Sequence, residues 1–155
     1  MTLLNVLHWK QRQPADCLAA CSAMVLQYLQ VPFQYETLVE LLETKFYGAA
    51  FSKIRKLETL GLHVSVGDWG GVQTLAQHLP TGLPILANVN TKELPYWNRE
   101  ASHVVLVIGL EANSIVVHDP AFDEMPKYIA LQEFLLAWDE QYQQYGVIGL
   151  DQIEG

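Results

Sequence analysis

The sequence predicts an α+β domain with helices packed on an antiparallel sheet. Two observations support this. Helical apolar spacing fills the first part of the chain, and short strand-like runs bounded by turn residues fill most of the rest. Half of the 155 residues are hydrophobic, enough for a sizeable core. The length suits a single domain over 1–155, and no internal repeat, low-complexity tract or linker interrupts it.

In chain order, Leu3 to Trp9 suits a short strand or extended arm. Asp16 is a good N-cap candidate, because its side chain can accept from the first turn. From Cys17 to about Leu29, apolar Leu18, Cys21, Met24, Val25, Tyr28 and Leu29 fit a helix with a buried face. That helix ends before Val31-Pro32, since proline would break it. A second helix is expected from Tyr35 to Tyr47, with Leu38, Val39, Leu41, Leu42 and Phe46 inward and Gly48 as its stop. A third is expected to start at Ser52, face Ile54, Leu57 and Leu60 to the core, and end at Gly61.

His63 to Val66 alternates like a strand. Gly67-Asp68-Trp69-Gly70-Gly71 is a loop, and Val72 to Leu79 a short helix closed by Pro80. Pro84 to Asn90 reads as a strand and Thr91 to Ser102 as a polar, aromatic loop. Strands follow at His103–Leu110, Ile115–His118 and Lys127–Ala130. A helix from Leu131 to about Trp138 precedes the closing strand Tyr145–Leu150, and the last residues read as frayed.

Composition narrows the function. The net charge is −8 with nine basic residues, and no basic stripe appears. Nucleic acid and anionic membrane surfaces are therefore not expected partners. The N-terminus lacks the basic start and apolar run of a signal peptide. The most apolar run, Val104 to Leu110, is too short to span a bilayer, so a cytoplasmic protein is expected. Cys17 and Cys21 lie one helical turn apart. Their Cβ atoms would then be about 5–6 Å apart, beyond the 3.5–4.5 Å or so of a disulfide. Their spacing is also not that of a zinc site, and His8, His63 and His78 are scattered, so neither metal nor cofactor is expected.

Three residues have chemistry in common. Cys17 sits in the predicted first helical turn, where free N–H groups and the positive dipole end favour a thiolate, the attacking form. His103 stands at the mouth of an apolar strand, and Asp119 where the next strand finishes. An imidazole there takes the thiol proton, and a carboxylate on its other nitrogen fixes the tautomer. Strand register decides whether the two meet. A three-residue loop, Glu111 to Asn113, with Asn113 left-handed, pairs Leu110 with Ser114 and His103 with Ala121, which puts Asp119 diagonally across on the same face. A four-residue loop puts them on opposite faces unless a bulge intervenes. The odd-numbered loop or a compensating bulge is expected. Trp69, Tyr96 and Trp97 either line a groove or cover the core, with Trp69 favoured for the latter. Tyr142 and Tyr145 are expected to pack near the chain end, and His118 to face away from Asp119.

Gln11, Asp16-Cys17, His103 in an apolar strand and Asp119-Pro120-Ala121 together resemble the bacteriocin-leader (double-glycine) peptidases. These are papain-like cysteine peptidase domains of bacterial peptide-exporting ABC transporters. Thr91-Lys92-Glu93-Leu94-Pro95-Tyr96-Trp97 and Glu133-Phe134-Leu135-Leu136-Ala137-Trp138 are similar to the stand-alone bacterial branch. The resemblance implies a papain-like cysteine peptidase fold and cleavage of a peptide or protein substrate through a Cys17 acyl-enzyme. It implies His103 as base and acid, Asp119 as orienting residue, and Gln11, six residues before Cys17, as oxyanion donor beside the Cys17 backbone N–H. Gln13 matches by type but not by spacing, and Cys21 becomes a packing residue. The sequence departs from the family where Leu18-Ala19 replaces Gly-Pro after the cysteine, and Leu18 is expected to narrow the cleft or change how the chain enters the helix. It also has no Gly-rich phosphate-binding Lys motif. Acyl transfer to an amine shares the same acyl-enzyme. A catalytically inactive peptidase-like module that binds a peptide, and a structural protein with an operon-encoded protein partner, are the alternatives.

Overall fold

The computed structural model describes residues 2–150. Its elements are β1 (Thr2–Leu3), α1 (Cys17–Tyr28), α2 (Tyr35–Leu41), a 3-10 helix (Phe51–Leu60), β2 (Leu62–Gly67), α3 (Gly71–His78), β3 (Ile85–Asn90), β4 (Ser102–Leu110), β5 (Ser114–His118), β6 (Lys127–Ala130), α4 (Leu131–Asp139) and β7 (Tyr145–Leu150). The strands form one antiparallel sheet in the order β2-β7-β3-β4-β5-β6, with β1 on β4. The expected α+β architecture is what forms. The reading of the last residues as frayed falls on 151–155, outside the described residues.

Each sheet face carries its own core. α1 lies on one face, where Leu18, Met24 and Val25 pack with Leu86, Val104, Leu106 and Ile148. Every residue of α1 from Leu18 to Leu26 is buried, because alanines and Ser22 let it sink flat onto the sheet. The other face holds Val89, Val105, Val107 and Val117 under Phe134 and Trp138 of α4 and Leu75 of α3. Among the described residues, no helix is long and apolar enough to cross a membrane.

Three expected boundaries differ. α2 ends at Leu41, not Tyr47, and Phe46 is 94% exposed rather than core-facing. Glu43 leaves the helix with a left-handed backbone (φ 54), and Lys45 and Gly48 then close a turn through two 2.9 Å backbone bonds. The third helix is a 3-10 helix starting after Ala50, and Ser52 does not cap it. Its buried residues, Phe51, Ile54 and Leu57, are three apart, the repeat that aligns side chains in a 3-10 helix. Leu60 is 43% exposed, because Gly61 (φ 81) turns the chain away into β2. Pro80 does not end α3 but sits in a following 3-10 turn, Leu79–Thr81. Of Leu3–Trp9, only Leu3 is paired as strand, and the rest is an extended arm.

The β4–β5 hairpin decides which side chains can meet. Its turn is even: Leu110 pairs with Ile115, and Glu111 N–H donates to Ser114 O at 2.9 Å. The three-residue loop with a left-handed Asn113 is therefore not formed. Instead the ladder shifts by one residue at Ile108, so that Val107 pairs with Val117 and Leu106 with His118. This bulge is the compensating irregularity the sequence requires, and it returns His103 and Asp119 to a common face.

Candidate active site

Asp16 is the N-cap of α1 by position, but its side chain makes no capping bond. It accepts instead from the Tyr35 hydroxyl at 3.1 Å. Burial and the Asp16 carboxylate push the Tyr35 pKa up. The first turn of α1 also holds no acidic residue, so no side chain caps the N–H groups that open α1 beside Cys17. Cys17 is the first residue of α1 and half-buried. Cys21, one turn on, is fully buried with its thiol toward Val104 O at 3.5 Å. Burial, then Cys17 and Asp119, push its pKa well up, which keeps it an inert thiol. Both cysteines are free.

His103 and Asp119 meet across the hairpin. His103 Nε2 lies 2.7 Å from Asp119 Oδ1, with both residues buried. Asp119 is saturated with donors. Ala121 N–H reaches the same oxygen at 2.9 Å, while the Tyr96 hydroxyl (2.8 Å) and the Trp97 indole N–H (2.9 Å) reach Oδ2. Burial would raise the carboxyl pKa, but His103, then the Ala121 N–H and the Trp97 indole, outweigh it and hold it below the usual range. With Asp119 anionic, Nε2 of His103 is the donor and Nδ1 is the ring nitrogen left over. Burial works against a charged imidazole. The hydrogen bond to Asp119, followed by Cys17, overcomes it and lifts His103 to about 9. Trp97 packs edge-on against His103, with ring centroids 4.8 Å apart.

Gln11, Cys17 and His103 line one cleft of about 590 Å³, together with Trp97, Arg99 and Tyr47. Asp119 stands behind His103, out of the cleft. The Gln11 side-chain NH₂ donates to the carbonyls of Gln13 (3.0 Å) and Pro14 (3.1 Å), and its Oε1 is buried without a partner. The two halves of the site are stitched together by the N-terminal arm. His118 Nε2 donates to Val6 O at 2.6 Å, His8 Nε2 to Asp119 O at 2.9 Å, and Gln11 N–H to Pro120 O at 2.8 Å.

Several expectations need correcting. Leu18 does not narrow the cleft: it is buried in the α1 core. Trp69 does not cover the core: it is 62% exposed, edge-on to an exposed Tyr142. Tyr142 is therefore not packed at the chain end, whereas Tyr145 lies against Gly67 and Gly70. Tyr96 and Trp97 neither simply cover core nor simply line a groove, because both hold Asp119. The polar, aromatic composition of this loop gives no sign of it, since an O–H and an indole N–H reveal a partner only once the fold sets it. Tyr47 at the cleft was hidden by its assignment to a helix. Among the described residues, no three metal-ligating side chains cluster.

Solved structures with the same fold include a C39-like peptidase from Bacillus anthracis (16% identity, TM-score 0.80, 99% of this chain and 100% of that one). A double glycine motif protease from an AMS/PCAT transporter, in complex with its leader peptide, matches at 17% identity and TM-score 0.75 over 97% and 95% of the two chains. The peptidase domain of Streptococcus ComA, a bifunctional ABC transporter of a quorum-sensing pathway, matches at 18% identity and TM-score 0.73 over 97% and 98%. Comparison with curated protein sequences finds no match. The sequence model of the Peptidase C39 family matches residues 6–142, most of the chain, and on that ground this protein belongs to the Peptidase C39 family.

Proposed function

We propose that the chain, acting as one unit over 1–155, is a cysteine peptidase that cleaves a peptide bond through a Cys17 acyl-enzyme. The observation behind this reading is the 2.7 Å His103–Asp119 contact, with Cys17 at the start of α1 in the same cleft. His103 takes the Cys17 proton on Nδ1 and, with its pKa lifted to about 9, holds it while the thiolate attacks the scissile carbonyl. The charged oxygen that develops accepts from the backbone N–H groups opening α1 and from Gln11, which exchanges one of its loop carbonyls for this stronger anionic acceptor. His103 then protonates the leaving amine. Water enters, loses its proton to His103 and releases the acid, restoring the thiol. Asp119 keeps Nε2–H pointed toward itself throughout and does not take the proton. The leader peptide bound to the double glycine motif protease supports a peptide as the ligand class.

The test is alkylation by iodoacetamide at mildly acidic pH, read by intact mass and peptide mapping, beside peptide turnover. Labelling confined to Cys17, slowed at least tenfold in His103→Ala, and turnover lost in Cys17→Ala are expected. Equal labelling in both proteins would sink the reading. A second reading, an inactive module that binds a peptide in this cleft, is favoured by one observation: both Gln11 side-chain N–H groups are engaged by loop carbonyls. Peptide binding with an unreactive Cys17 would establish it.

A further inference from the structure

We infer that the cleft selects peptides carrying a carboxylate side chain near the scissile bond, and that Arg99 reads it. This deepens the peptidase reading and rests on it.

The charge distribution of the cleft is opposite to that of the chain. The protein carries 17 acidic residues against nine basic ones. Among the described residues no aspartate or glutamate lines the cleft, whereas Arg12 and Arg99 do. The two arginines are not equivalent. Arg12 is already neutralised, paired with Glu36 at 3.0 Å and seated over the Tyr35 ring at 4.5 Å. Arg99 makes no ion pair among the described residues and is exposed.

Arg99 is nevertheless firmly placed at its backbone. The fully buried Thr91 accepts at Oγ1 from Ala101 N–H (2.8 Å) and donates from the same hydroxyl to Arg99 O (2.7 Å). Thr91 N–H further donates to Ala101 O at 2.9 Å. The guanidinium therefore extends from a pinned stretch that also carries Trp97 and leads into His103. A planar cation with five donors and no acidic partner matches a carboxylate in a partly water-excluded cleft. Elsewhere the acidic surface repels such a peptide, so preference for it has to be local to this cleft.

Two measurements on wild type, Arg99→Gln and Arg99→Glu test this. The first is the ratio of Cys17 alkylation rates by anionic iodoacetate and neutral iodoacetamide at low ionic strength, which reads the cleft's charge without needing turnover. It should fall about threefold in Arg99→Gln and about tenfold in Arg99→Glu, and less at high salt. The second is kcat/KM on matched peptides with Glu, Gln or Lys scanned around the cleavage position. Wild type should prefer Glu through KM, and Arg99→Glu should prefer Lys. An unchanged alkylation ratio, or cleavage with no charge preference, overturns the inference and leaves the peptidase reading intact. A ratio that falls as expected while no peptide is cleaved supports the role of Arg99 and counts instead against the peptidase.

Discussion

The sheet half of the site and the loop half are built on different principles. His103 and Asp119 sit on paired strands, and every lone-pair direction of the Asp119 carboxylate is used by one of four donors. Gln11 and Cys17 sit on a loop and a helix start, where the Gln11 oxygen has no partner and the opening N–H groups have no side-chain cap. The saturated half fixes Asp119 as a carboxylate and the Nε2–H of His103 toward it. In the unsaturated half the free donors are the uncapped N–H groups opening α1. Both Gln11 side-chain N–H groups are held by loop carbonyls and would have to exchange them to meet a developing charge. A site of this kind fixes what must not move and leaves open what must be filled.

The sharpest way to break this contrast is Asp119→Asn. The shape survives, but the amide offers an N–H where His103 needs an acceptor, so turnover should fall about 10³- to 10⁴-fold. Asp119→Ala goes further and strands all four donors, costing roughly 3–5 kcal/mol in chemical denaturation.

Acidity separates His103 from His118 on the opposite face of the hairpin. The folded-state pKa of His103, about 9, lies above the ordinary value of about 6.5. Its contribution, about 3 kcal/mol, is thus fully present below pH 6.5 or so and lost as pH rises through about 9. Peptide turnover should decline over the same alkaline range. His118 is shifted down, by burial first, and its Nδ1 is buried without a partner. Its effect has the opposite sign: stability falls as pH drops below about 6.5. Denaturation midpoints at pH 5, 7 and 9.5 in wild type and His118→Gln should show the acid loss reduced in the variant and the alkaline loss kept.

On the loop side, Gln11→Ala should lower kcat roughly 100-fold with little change in melting temperature, because its bonds lie at the exposed surface. A large loss of stability with unchanged kcat would assign Gln11 to holding the loop instead. The mildest change is Tyr96→Phe. It removes one of two donors on Asp119 Oδ2 and should cost about 1–2 kcal/mol, with kcat/KM reduced less than tenfold.

These halves also differed in how readable they were. The His103–Asp119 meeting followed from counting residues in a hairpin, because side-chain direction along a strand has a period of two. The count identified the needed shift but not its place. The turn took the even form, and the bulge at Ile108 supplied the correction. The helix start at Cys17 was legible from apolar spacing, yet the true partner of Asp16 was not. A tyrosine nineteen residues away competes for its carboxylate, and local sequence carries no trace of that. The same holds for Tyr96 and Trp97, whose partner lies more than twenty residues downstream. The overrun of α2 came from reading Phe46 as a core residue, when a left-handed Glu43 had already turned the chain outward.

The place of β7 in the sheet has a consequence in time. The last described strand is not at an edge: it lies between β2 and β3 and is the only strand that joins β2 to the rest among the described residues. A ribosome therefore releases Cys17 long before the sheet beneath it can close. A growing chain that stops short of residue 145 holds Cys17 over an unfinished floor, with β2 not yet joined to the sheet. The sheet face that α1 covers, with Ile148 in its core, is complete only once β7 has been made.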